Sequence, residues 1–456
     1  MSHIASIIKK ELREMLTLGS VVSIVVMVIL FAGLGMLINS EVEKASTLPY
    51  IGIVADEDEA YYEYEYTDSD GDLVSGTWNP VTYLQSLYGS SSYKITVLSS
   101  DTSATDEEIT EEMLELGIAT VIVMPSAEEF AENMASGTAS TVRQLYIYEP
   151  TGMFGTVTTS TASTVLSYMK SSLSSILILE GGYTDYSFVN SPIKYSSSYT
   201  ATYVNGEVYT GITPDSITDA VTSQTMMIPL VIMIIIMMVG SIVISSIGSE
   251  KENKTLETLL TLPVKRTSIV AGKIIASAIV GLVYGLAYMI GMSVYMGSLT
   301  DLISSTSSSV DLDAIGMSLD AVDWLLILLS MFLSIVCALG ICMILGAFCK
   351  NYKSAQSMTM PLSILAMIPM FIIMFSGWYG TDPLLQAICF VIPFSHPMMA
   401  MQSLMYGDLT LVLEGIAYMA VFAAATILIT VRLYSSDVLI TGLGQNKYVQ
   451  KLTGGR

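Results

Sequence analysis

The residues of this chain whose types and spacing could do chemistry gather in one short stretch. Glu250, Lys251, Glu252, Thr255, Leu256, Glu257, Leu262, Pro263 and Arg266 lie between two apolar runs, 226–247 and 274–296. Leu256, Leu259 and Leu260 stand three and four apart and share one helical face, with Glu252, Lys254 and Glu257 elsewhere around it. Pro263 stops that helix, and Thr267 or Ser268 can cap the next. Each flanking run is long enough to cross a bilayer as a helix, at about 20 residues per span, so the charged stretch sits at a membrane surface. Its basic residues Lys251, Lys254, Lys265 and Arg266, with Lys273 just inside the next run, assign that surface to the cytoplasm, because Lys and Arg are retained where the chain is not translocated. No bond is made or broken by such a set. An amphipathic cytoplasmic helix fixed to two spans is a handle, and a push on it moves the spans.

Other reactive residue types do not assemble into a site. His3 and His396 are too few and too distant for a histidine metal cluster, and Cys337, Cys342, Cys349 and Cys389 all fall in or beside apolar runs, so no disulfide framework can be read. Neither Gly-x-x-x-x-Gly-Lys-Ser/Thr nor Gly-x-Ser-x-Gly occurs. Gly272-Lys273 lacks the upstream glycine and the following hydroxyl. The chain is therefore expected to be no enzyme and to hold no catalytic residue, metal or cofactor. If ATP drives it, another chain must bind the nucleotide. Asp68, Asp70 and Asp72 offer hard oxygen ligands for calcium. With Gly71 at the sixth place of an EF-hand loop, however, Tyr66 takes the first ligand position and Thr77 the last, so a solvated acidic turn is expected. Ionisable residues inside apolar stretches reduce to Glu414 and His396, and His396 beside Pro393 and Pro397 reads as a hairpin contact.

Composition supports a membrane location. The 456 residues are 52% hydrophobic and only 13% charged, against roughly 25% charged in soluble domains. The net charge of −22 is confined to residues 40–224, where 27 acidic side chains face five basic ones, while the remainder is neutral. No basic footprint for nucleic acid exists.

In chain order, residues 1–18 place apolar side chains on one face and Lys9, Lys10 and Arg13 away from it, suiting a cytoplasmic interfacial helix. A first span at 20–39 carries the chain outward. Residues 40–224 are expected to form an extracellular acidic α/β domain, with strands near 50–55, 94–98, 119–124 and 145–148 and helices at 106–116 and 128–134. The Tyr/Glu alternation of 61–66 pairs with 73–78 as a β-hairpin, 156–179 is a long helix, and 185–219 reads as loop. A span at 225–248 returns to the cytoplasmic segment 249–268, and spans follow at 269–297, 324–348, 356–378 and 409–433. Residues 384–400 are apolar but broken by Pro393 and Pro397; a span there would put Arg432, Lys447, Lys451 and Arg456 outside, so a re-entrant extracellular hairpin is expected. Six spans result, with the N-terminus and the tail 434–456 both cytoplasmic.

The run SSIGSEKENKTLETLLTLPVKRTSIVAGKIIA resembles the signature of ABC-2 type transporter permeases, in which Glu-Lys-Glu-x-x-Thr-Leu-Glu-x-Leu-Leu-x-x-Pro-x-x-Arg joins the second and third spans. The order of strands and helices in 40–224 resembles, more loosely, the outer domain of the subgroup related to sodium, drug and peptide export permeases. The 390–399 stretch resembles that family's extracellular Pro-x-x-x-Pro hairpin. The resemblance implies a plasma-membrane, multi-pass permease subunit, with an elbow helix at 1–18 and a coupling helix contacting a separate ATPase that carries ATP and magnesium. It also implies two permease chains, as a homodimer, and two ATPase subunits. A substrate path between two copies agrees with the small volume that six helices enclose. A polytopic receptor using the acidic domain for binding, without transport, is the other reading the sequence leaves open.

Overall fold

The computed structural model describes residues 50–56, 61–67, 71–92, 95–150, 157–181, 186–255, 310–349 and 351–435, together with single helical positions between 25 and 36 and between 268 and 291. The chain forms two compact units. One comprises 40–221 and 308–316; the other comprises 1–39, 222–307 and 317–456.

The first unit is α/β. It begins with β1 (Ile51–Val54), β2 (Tyr62–Thr67), β3 (Leu73–Trp78), α1 (Pro80–Ser92), β4 (Ile95–Val97), α2 (Asp106–Leu116), β5 (Thr120–Val123) and α3 (Ala127–Ser136). It continues with β6 (Ser140–Thr141), β7 (Arg143–Ile147), α4 (Val157–Gly181), α5 (Tyr186–Asn190), β8 (Ile193–Lys194), β9 (Thr200–Val204) and β10 (Glu207–Thr210). Six strands make a mixed sheet in the order β10-β9-β7-β5-β1-β4. β1 sits between two parallel neighbours, Ile53 opposite Val97 on one side and Ile122 on the other. Its four residues Ile-Gly-Ile-Val are all buried, as a strand covered on both faces requires.

Each face of the sheet has its own cover. Ile109 and Met113 of α2 pack on Val54, Val121, Val123 and Leu145. Thr105 and Glu108 start that helix with a capping box, and Gly117, at φ 66°, ends it. On the opposite face α3, α4 and the β2–β3 hairpin enclose Ile51, Ile53 and Ile122. The hairpin pairs in the register Tyr62 with Trp78 and Tyr64 with Gly76. Trp78 stacks on Phe130 at 5.7 Å and donates its indole N–H to Ser172 Oγ at 2.8 Å, which ties the hairpin to α3 and α4.

The expected loop at 185–219 is corrected by β8, β9 and β10, and α1 was not expected at all. β9 reads Thr-Ala-Thr-Tyr-Val and lacks the apolar signature of β1. Burial comes from its pairing with β7, and Thr202 Oγ1 satisfies itself on the Ile212 carbonyl at 2.6 Å. Of the acidic turn at 68–72, residues 68–70 lie outside the described residues.

The second unit is helical. α6 (Pro214–Thr225), of which 214–221 belong to the first unit, leads into α7 (Met227–Glu252), and α8 (Ala321–Phe348), α9 (Tyr352–Ser357), α10 (Thr359–Ser376), α11 (Pro383–Val391), α12 (Ser395–Met405) and α13 (Leu409–Ser435) follow. Four helical stretches among the described residues, 214–252, 321–348, 352–376 and 409–433, are long and apolar enough to cross a membrane. α7 has 26 residues and α8 has 28, about 39 and 42 Å at 1.5 Å per residue. Their shared core includes Ile235, Val239, Ile244, Ile335, Leu339, Met343, Leu362 and Phe394. The described positions within the expected spans at 20–39 and 269–297 are helical. The remainder of those spans, the interfacial helix 1–18 and residues 436–456 lie outside the described residues.

Candidate coupling site

The span expected to end at 248 runs on as α7 through Glu252. Glu250, Lys251 and Glu252 therefore occupy its last turn, and the boundary with a separate helix shifts to Asn253 and Lys254, where Lys254 takes φ 56°. A left-handed non-glycine residue at that point interrupts the helix, and Thr255 is helical again. Leu256, Glu257, Leu262, Pro263 and Arg266 lie outside the described residues.

The last turn of α7 is clasped by the turn that joins α8 to α9. Lys251 Nζ donates to the carbonyls of Ala347 and Cys349 at 2.5 and 3.0 Å. Those carbonyls belong to the end of α8, where a helix leaves acceptors unfilled and its dipole favours a cation. Glu252 Oε2 accepts the Tyr352 amide at 3.0 Å, at the start of α9, which Asn351 caps by accepting the Ser354 amide. Glu250 Oε1 accepts from Ser246 Oγ at 3.3 Å.

Small residues make this approach possible. A Cβ on Gly248 would stand 2.5 Å from Ala355 Cβ, 3.1 Å from the Asn351 carbonyl oxygen and 3.2 Å from Tyr352 Cα. One on Gly346 would stand 2.7 Å from Ile247 Cδ1. The alternation of the expected spans placed both turns on one side of the membrane, but nothing local in the sequence foretold that Ala347, Cys349 and Tyr352 would supply the partners. The two glycines, Gly248 and Gly346, were the available signal.

The second predicted set, Pro393, His396 and Pro397, lies among the described residues, at the break between α11 and α12. Pro393 lies between α11 and α12, and the carbonyls it frees are taken up locally. Ser395 Oγ lies 2.6 Å from the Cys389 carbonyl and 2.7 Å from that of Ile392, His396 Nε2 lies 3.0 Å from the Phe390 carbonyl, and Tyr418 of α13 donates to the Val391 carbonyl at 2.6 Å. His396 is 2% exposed and packs edge-on to Phe390 at 4.8 Å. Its Nδ1 would be 2.7 Å from a Cβ on Gly415, so α13 closes on the ring only where it carries glycine. The imidazole acts as a brace between α11, α12 and α13. Pro397 is buried in the first turn of α12, and Glu414 is exposed on α13.

Against known families, the chain matches the one described as ABC-2 family transporter protein over residues 19–432. This chain belongs to that family. The ABC-2 match takes in the long apolar helices, the α/β unit and the clasped turn alike, and makes the protein a membrane component of a transporter. No curated protein matches the permease. Among solved structures it is similar to a crystallised domain assigned to an ABC type-2 transporter of Thermotoga maritima MSB8, at 15% identity and a TM-score of 0.25, covering 37% of this permease and 96% of that chain.

Proposed function

We propose that this chain is the membrane-spanning permease subunit of an ATP-driven exporter. It has six spans, both termini in the cytoplasm of a plasma membrane, and residues 40–224 outside. Two copies form the translocation path, and two ABC ATPase subunits supply ATP and magnesium chemistry. Residues 250–266 receive the force. Glu250, Glu257 and Arg266 hold the ATPase surface by charge, Thr255 and Pro263 shape the segment, and Leu256 and Leu262 seat in a groove. The single observation that carries this reading is the position of the charged stretch. Its first residues, Glu250, Lys251 and Glu252, continue without a break from an apolar helix of membrane-crossing length in a chain matched to the ABC-2 family over residues 19–432.

The outward direction rests on the likeness of the α/β segment to the export subgroup. A receptor that only binds at its outer domain is disfavoured, because the family match covers the helices as well as that domain. Purification from native membranes tests the assignment: an ABC ATPase should accompany the permease, and Glu257→Lys should release it. A permease that copurifies with no ATPase would refute the reading.

A further inference from the structure

Lys251 and Glu252 fall within the stretch expected to couple to an ATPase, yet both spend hydrogen bonds on backbone groups of this chain, Lys251 half-buried and Glu252 at the exposed edge. Lysine has three N–H donors, and two are spent on Ala347 and Cys349. Glu252 spends an oxygen on the Tyr352 amide. The two side chains grip opposite poles of one turn, the cation at the carbonyl end of α8 and the carboxylate at the amide end of α9. The carbonyl end of the 28-residue α8 favours the cation it receives. Gly248 seats against Ala355 one turn back, and Ile247 against Gly346. The contact is thus built from backbone groups and small residues, which makes it insensitive to rotamer changes on α8 and α9.

We propose that Lys251 and Glu252 are positioning residues that lock the end of α7 to the α8–α9 turn, so that the two segments move as one body. Resting on the transporter reading above, the lock adds a route for force. A push on residues 249–268 enters α8 and, through α9, α10, as well as α7. Removing the lock leaves the handle attached to α7 alone.

The test uses the full-length permease in lipid nanodiscs, with spin labels at Asn253 and Gln356, both exposed. The four native cysteines are buried. With Lys251 and Glu252 present, and labelled permease diluted into unlabelled copies so that only distances within one chain are read, the separation should be single and narrow. Lys251→Met should abolish the narrow distribution, Lys251→Arg should keep it, and Glu252→Ala, the milder change should Lys251→Met fail to fold, should weaken it. Unaltered distributions in both Lys251→Met and Glu252→Ala would overturn the lock. In the complex with its ATPase, the separation should stay the same when the ATPase is trapped with ATP and vanadate, and Lys251→Met should retain the ATPase. Loss of the ATPase from Lys251→Met with the separation still narrow would return Lys251 to docking and overturn the proposal. If no ATPase accompanies even the unaltered permease, the transporter reading fails, while the nanodisc distances still decide the lock.

Discussion

Gly248→Ala adds one methyl where the packing leaves no room. The new Cβ would lie 2.5 Å from Ala355 Cβ, whereas carbon atoms rest about 3.5–4.0 Å apart. The α7 end and the α8–α9 turn must therefore separate by about 1 Å, and overpacking of this kind costs about 1–3 kcal/mol. The same displacement takes the 3.0 Å bond from Lys251 to Cys349 beyond the usual limit of about 3.2 Å. Because Lys251 is only half-buried, that loss adds about 1 kcal/mol rather than the value of a fully desolvated charge. Replacing glycine within a helix returns about 1 kcal/mol, so the net destabilisation is about 1–3 kcal/mol. The four buried free cysteines, Cys337, Cys342, Cys349 and Cys389, make a thiol-reactive fluorogenic probe a direct reporter of unfolding in detergent. Gly248→Ala should lower the midpoint by several degrees. Ala355→Gly should recover part of that loss in the double variant and no more, since the Asn351 oxygen at 3.1 Å and Tyr352 Cα at 3.2 Å remain. A midpoint equal to that of the unaltered protein, or strictly additive effects of the two changes, would refute the close-packed clasp.

Three further outcomes are expected. Phe130→Ala empties the centre of the Tyr62, Trp78 and Phe130 cluster and should cost the α/β unit about 3–5 kcal/mol, read as faster hydrogen exchange in β2, β3 and α3 with little change in α8. Ser395→Ala removes the hydroxyl donor shared by the Cys389 and Ile392 carbonyls, each of which keeps an amide donor, a loss of about 0.5–1.5 kcal/mol, and labelling of Cys389 should accelerate ahead of Cys337. Burial alone would raise the Glu112 carboxyl, but hydrogen bonds from the side chains and amides of Ser100 and Ser99 outweigh it and hold the group below its usual range. A depressed folded pKa stabilises above the unfolded value and is lost as pH falls through the folded one. Exchange protection of α2 should therefore fall with acidification in that window, and Glu112→Gln should flatten this dependence.

How much was legible depended on whether an element's signal was local. β1 and β5 are continuous apolar runs, the β2–β3 hairpin alternates tyrosine with glutamate, and α2 carries its own capping box, so each could be read from its own residues. β9 and β10 could not, because hydroxyl-rich segments become strands only when β7 offers an edge. The break at Pro393 was visible. The braces of Ser395, His396 and Tyr418 that make it tolerable were not, since Tyr418 lies on another helix.

The sequence by itself determined the class of protein: apolar runs of spanning length, acidity confined to one insertion, and the charged stretch at 250–266, because hydrophobicity and charge act through neighbours along the chain. Tertiary structure alone decided which way Lys251 and Glu252 face. Their partners, Ala347, Cys349 and Tyr352, stand nearly a hundred residues away, and they are backbone groups. Every residue type has the same carbonyl and, proline apart, the same amide, so the side chains at those three positions do not announce them.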